Sequence, residues 1–160
     1  MTKLGSNSLE ITTEKKTYHF PLDRYYFTQE PGHIWLKTDG ELFNVGFDDF
    51  GQFQGPILHI RTRPVGKTYS QGKAFGTVET NKFIGQLRFP VSGSIVETNS
   101  EVFDDPQLIN NAPYDQWIVK IRPTNLEVDM KSEYIIALGD RDRLEKYIIA
   151  ELIKYEDPPI

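Results

Sequence analysis

Apolar and β-branched residues fall in short alternating runs along most of this chain, and turn-forming residues interrupt them at brief intervals. Residues 24–29 (RYYFTQ), 33–38 (HIWLKT) and 41–47 (ELFNVGF) are such runs, separated by Pro31-Gly32 and Asp39-Gly40, and they predict a strand meander. Asp39-Gly40 is the clearest hairpin signal, because both residues suit a tight turn and apolar positions alternate on either side. Residues 48–54 (DDFGQFQ) predict an irregular or one-turn helical connection to a strand over 57–61 (ILHIR). The segment 73–99 reads as three strands with a polar tip at Thr80, Asn81 and Lys82, where Asn81 would tolerate left-handed backbone. Residues 104–114 predict a short Asp-capped helix that stops at Ala112-Pro113, and 117–123 (WIVKIRP) a closing strand.

Helical spacing takes over toward the C-terminus. One helix is expected across 126–138 and a second across 141–156, where Leu144, Ile148, Ile149 and Leu152 recur at helical intervals. Gly139 separates the two, Asp140 is placed to cap the second, and Pro158 and Pro159 prevent its continuation. Residues 1–16 mix Ser, Thr and Lys with Glu10 and Glu14 and are expected to form a mobile or loosely packed extension. An aromatic strand, a loop and a closing proline occur twice, from Phe43 to Pro64 and from Phe75 to Pro90, an echo that suits two small quasi-symmetric sheets. The expected organisation is an N-terminal extension over 1–22, a mainly β domain over 23–139 and a C-terminal helical extension over 140–160.

Twelve glycines and ten prolines against two methionines suit such an α+β, mainly β architecture better than a helical bundle. The net charge of −5 argues against nucleic acid or an anionic membrane surface as the principal partner. No stretch has the apolar length of a signal peptide core or a membrane-spanning helix, so a cytoplasmic location is expected. The absence of cysteine removes disulfides, thiolate nucleophiles and zinc–thiolate sites, so any sulfur redox chemistry must come from an attached group.

Little else points to catalysis. His19, His33 and His59 lack metal-ligand spacing, no Ser/His/Asp set stands out, and no glycine-rich phosphate loop precedes a helix. No metal site is expected, and the protein reads as no enzyme. The acidic pairs Asp48-Asp49 and Asp104-Asp105 suit turns and caps, or contacts with basic docking surfaces.

The residues Val78-Glu79-Thr80-Asn81-Lys82, followed by Phe89-Pro90-Val91-Ser92-Gly93, resemble the lipoyl-lysine hairpin of the glycine cleavage system H-protein family. Residues 26–29 and 33–37 are similar to that family's opening strands, and Pro64-Val65-Gly66-Lys67 to its approach to the hairpin. Residues 105–110 (DPQLIN) with Pro113-Tyr114 resemble a stretch that ordinary lipoyl domains lack. The resemblance covers about residues 24–137 and implies a barrel-sandwich hybrid, the flattened two-sheet β fold of lipoyl domains. It implies lipoate joined to Lys82, with Glu79, Gly93 and Gly66 read by the lipoylating enzyme, a lipoate ligase or lipoyl transferase. Biotin carriers share the fold but flank their lysine with methionines, whereas Asn81 and Phe83 stand here.

By the same resemblance the arm carries an aminomethyl group from glycine decarboxylase to aminomethyltransferase and is reoxidised by dihydrolipoyl dehydrogenase. Two features depart from the family pattern. Ile34 stands within the family's His-Glu-Trp, and Phe83 where a small residue is common; both alter the expected surface near the arm. They keep open a second cargo, sulfur, as in lipoate carriers of heterodisulfide-reductase-like sulfur oxidation. An unmodified scaffold that keeps the fold and lacks the arm is a third reading.

Overall fold

A computed structural model describes residues 7–160. Its centre is a seven-stranded antiparallel sheet in the order β12-β3-β4-β5-β11-β10-β7, built from Tyr25–Phe27 (β3), Ile34–Asp39 (β4), Leu42–Phe47 (β5), Thr68–Tyr69 (β7), Gly93–Thr98 (β10), Val119–Pro123 (β11) and Ile135–Ile136 (β12). A three-stranded sheet, β6-β8-β9, covers it with Ile57–Thr62 (β6), Ala74–Thr80 (β8) and Ile84–Arg88 (β9). The two sheets enclose one core, in which Leu36, Val45 and Ile121 from the larger meet Ile60, Phe75 and Leu87 from the smaller. This is the mainly β, two-sheet architecture that the alternating pattern predicts.

The predicted β4–β5 hairpin forms, with Asp39 paired to Leu42 and the chain turning through Gly40 and Glu41. Gly40 has φ 63°, the left-handed value that a two-residue hairpin loop places at its first position and that glycine adopts without steric cost. Residues 73–99 form the three predicted strands, but β10 leaves the smaller sheet and joins the larger one between β7 and β11.

A second layer lies outside the seven-stranded sheet. Ser8–Thr12 (β1) and Thr17–Pro21 (β2) make a hairpin, and Arg141–Lys154 (α4) is the C-terminal helix. Leu9, Ile11, Tyr18 and Phe20 alternate inward from the hairpin and meet Leu144, Ile148 and Leu152 of α4 over Tyr26, Trp35 and Phe50. β4 is therefore buried on both faces: Ile34 and Leu36 point to the main core and Trp35 to the second cluster. Continuous burial of this kind explains the unbroken apolar run at 34–36.

Four expectations are corrected. From Ser8 onward the N-terminal stretch is a packed hairpin, because period-two apolar positions outweigh its surface charges; residues 1–6 lie outside the described part. The helix expected across 126–138 is only Leu126–Asp129 (α3), followed by β12. Asp129 accepts from Ser92 N at 2.6 Å and its carbonyl from Gln71 Nε2 at 3.1 Å, and Ile135 and Ile136 gain more by pairing with Phe27 and Tyr26. Residues 104–114 hold one short helix, Gln107–Asn111 (α2), with Pro106 rather than an aspartate at its N-cap, and another, Ser100–Asp104 (α1), precedes it. Ile34 is 1% exposed, so its departure from the family pattern alters the core and not the surface.

α4 follows its stripe, and Asp140 caps it by accepting from Arg143 N at 3.2 Å. Gly139 supplies the left-handed turn before it, at φ 79°.

Candidate functional site

The tip of the β8–β9 hairpin is a two-residue turn, Asn81-Lys82, closed by Thr80 N donating to the Phe83 carbonyl at 3.0 Å. Thr80 is buried, and its hydroxyl accepts from Lys82 N at 3.2 Å and Phe83 N at 3.3 Å. Asn81 keeps negative φ, contrary to the left-handed backbone expected of it, because the Thr80 hydroxyl stabilises the turn without it. Lys82 is exposed, and its ammonium makes no ion pair among the described residues. An amide on a lysine needs an accessible primary amine on a firm mount, and this position provides both.

Glu79 lies on the outer face of β8, half-buried, opposite His59 on one side and Ile84 on the other. The two glycines fall elsewhere. Gly93 opens β10 in the other sheet, where a Cβ would sit 2.2 Å from the Arg122 carbonyl oxygen; close backbone approach requires glycine there. Gly66 is exposed in the β6–β7 connection at φ 102°, and its N–H donates to the Ile95 carbonyl.

Beside the hairpin lies a small cleft of about 40 Å³, room for about three water molecules. Val78, Phe83, Gly85 and Gln86 of the hairpin form one wall; Pro31, His33, Phe50 and Tyr155 belong to the other. Among the described residues the lining contains no carboxylate and no lysine or arginine. Phe83 folds back over Gly85, where a Cβ would come within 2.9 Å of its ring.

His33 is the residue that sequence reasoning passed over. It is 6% exposed, adopts φ 64°, stacks on Phe50 at 4.4 Å between centroids, and donates its backbone N–H to the Tyr147 hydroxyl. Nδ1 is 3.0 Å from Asp48 Oδ2 and Nε2 is 2.8 Å from Glu151 Oε1. Burial disfavours its charge, but the two carboxylates outweigh burial and hold the imidazole up at about 9, so it is a cation at neutral pH. Burial also opposes ionisation of Glu151, yet the bond from His33 brings its carboxyl below the ordinary value. The cation pins α4 to the wall of the cleft. Asp48 and Asp49 are thus interior partners and not a docking pair: Asp49 accepts from His19 N at 2.8 Å and pairs with Lys16 at 3.0 Å.

Nothing in this arrangement pairs a nucleophile with a base, and no group of three or more potential metal ligands occurs among the described residues. No helix among them is long and apolar enough to cross a membrane. Fold and hairpin define a carrier-type β domain, one that offers an exposed lysine on a fixed turn. The family model described as glycine cleavage H-protein matches residues 24–137. The chain is 37% identical over 124 residues to a probable glycine cleavage system H protein 3 of Sulfurisphaera tokodaii, covering 77% of this chain and 86% of that one. It is 38% identical over 132 residues to glycine cleavage system H protein 3 of Aquifex aeolicus (80% and 81% covered), and 34% identical over 132 residues to the mitochondrial H protein of Oryza sativa subsp. indica (76% and 80%). The crystal structure of a glycine cleavage system H protein from Mycobacterium marinum superposes with a TM-score of 0.65 at 27% identity, over 79% of this chain and 99% of that one. The chain belongs to the glycine cleavage H-protein family, whose members are lipoyl carriers and not catalysts.

Proposed function

We propose that this chain is a lipoate carrier whose arm is joined to Lys82, shuttling an aminomethyl group from glycine decarboxylase to aminomethyltransferase. Dihydrolipoyl dehydrogenase would reoxidise the arm, and a lipoate ligase or lipoyl transferase would attach it, with Glu79, Gly66 and Gly93 as recognition elements. The observation that carries the reading is the exposed Lys82, without an ion pair among the described residues, on a turn held by the buried Thr80, within a family match that spans the hairpin. The bound lipoyl group supplies a dithiolane that opens to accept cargo on sulfur and closes by thiol–disulfide exchange. The protein's part is to hold the attachment point rigid, present it to other enzymes and offer an apolar cleft beside it.

A second cargo is favoured by one observation. A transferred aminomethyl group carries an amine that is protonated at neutral pH, yet the cleft beside the hairpin has no carboxylate among its described lining residues, and both nitrogens of its histidine are already engaged. Sulfur cargo, which carries no ammonium to be paired, suits such a lining better, which supports the heterodisulfide-reductase-like reading.

Intact mass of the protein from its native host, with peptide mapping, tests attachment: a gain of about 188 Da on Lys82 is expected for the amide. A fully unmodified Lys82 refutes it. Glycine-dependent loading by glycine decarboxylase then separates the two cargoes.

A further inference from the structure

Charge is divided unevenly along this chain. Between Ile57 and Arg88 stand Arg61, Arg63, Lys67, Lys73, Lys82 and Arg88 against one carboxylate, Glu79, so this stretch carries +5 while the remainder carries −10 of the overall −5. The basic stretch is the three-stranded sheet and its connections, the part that presents Lys82.

Register places part of that charge on one surface. Directly opposed residues of antiparallel strands share a face, so Arg61, Thr77 and Gln86 form one row across the outer side of the smaller sheet, and His59, Glu79 and Ile84 form the next, nearer the tip. Arg61, Arg63, Thr77 and Gln86 border an open groove of about 350 Å³. Arg63 is fixed there, its Nε donating to the Ala74 carbonyl at 2.8 Å and its guanidinium lying 4.7 Å from the centre of the Tyr69 ring. Arg61 is exposed and makes no ion pair among the described residues. Ile84 is 66% exposed and Val65 57%, apolar positions beside this basic surround. Exposed apolar residues among basic side chains suit a protein interface.

We infer that this face is a docking surface for an acidic rim around the acceptor-lysine channel of the lipoylating enzyme. The inference rests on Lys82 being the lipoylation site. That enzyme must approach the hairpin tip, and a basic sheet on an otherwise acidic chain orients the tip toward a negative mouth and turns the remaining surface away. Modification removes the charge of Lys82, so attraction weakens once the arm is on and the product leaves.

The test is the rate at which the full-length apo chain is lipoylated by its host's lipoate ligase, read by intact mass. Arg61→Glu/Arg63→Glu is expected to lower kcat/KM about tenfold at low salt, within the range of electrostatic steering, with the difference shrinking at about 0.5 M salt. Arg61→Lys/Arg63→Lys is expected to keep the wild-type rate, as is Lys131→Glu/Lys146→Glu, which makes the same net change on exposed positions outside this sheet. Circular dichroism verifies that the variants fold. Equal, salt-independent rates for all chains, with wild-type Lys82 lipoylated, overturn the docking inference and leave the carrier reading standing. No lipoylation of wild-type Lys82 overturns both. Concentration-dependent self-association that the Arg61/Arg63 reversal abolishes, with lipoylation unaffected, also overturns it and assigns the face to a second copy.

Discussion

Replacing His33 by asparagine tests whether a buried cation ties the C-terminal helix to the cleft wall. Asparagine tolerates the left-handed backbone at this position (φ 64°) but is too short to bridge Asp48 and Glu151. The folded chain holds the imidazole at about 9 against an ordinary 6.5. Because the folded value is the higher one, the folded state binds the extra proton, and the stabilisation is complete below about pH 6.5 and lost as pH rises through about 9. At about 1.4 kcal/mol per pKa unit the loss amounts to about 3 kcal/mol, or about 6 to 12 °C in Tm for a chain of this size. Thermal melts from about pH 6 to about pH 10 should show the wild-type Tm falling by that much more than the variant's. At neutral pH the variant itself should be about 3–5 kcal/mol less stable, since two carboxylates then face each other without a cation. Glu151→Gln, which leaves Asp48 in place, should move the midpoint of the pH dependence downward. Parallel pH profiles for wild type and His33→Asn would refute the argument.

Other substitutions probe the hairpin and its supports. Gly93→Ala should cost about 1–3 kcal/mol in a denaturant titration, because its methyl meets the Arg122 carbonyl at 2.2 Å; impaired lipoylation with unchanged stability would instead mark Gly93 as a recognition element. Thr80→Val should cost about 1 kcal/mol and speed hydrogen exchange at the Lys82 and Phe83 amides, which lose their hydroxyl acceptor. Trp35→Phe should cost about 1–3 kcal/mol by leaving the Phe47 and Pro113 carbonyls without the indole donor that now reaches both, an effect visible in thermal melts.

Much of the architecture was legible because it is local. The strands of the meander, the Asp39-Gly40 hairpin and the Lys82 tip each follow from alternation or turn chemistry within a few residues. The N-terminal hairpin was legible too, since Leu9, Ile11, Tyr18 and Phe20 alternate, but Glu10 on its outer face and Glu14, Lys15 and Lys16 in its turn masked the period. Residues 126–138 misled because short apolar pairs suit a helix or an edge strand equally, and the partner that decides, β3, lies about a hundred residues away. The His33 cluster was illegible for the same reason: Asp48 is 15 positions off and Glu151 118, and no spacing rule joins them.

The last residues of the chain pack against the turn of the N-terminal hairpin. Thr13 pairs with Pro159, Ile160 N donates to the Thr12 carbonyl, and the Thr13 and Tyr18 hydroxyls both donate to the buried carboxyl of Asp157. The hairpin turn and the tail after α4 thus fasten each other. Because this tail follows α4 directly, the hairpin and the last helix are expected to come away together, so removing residues 157–160 should loosen the hairpin.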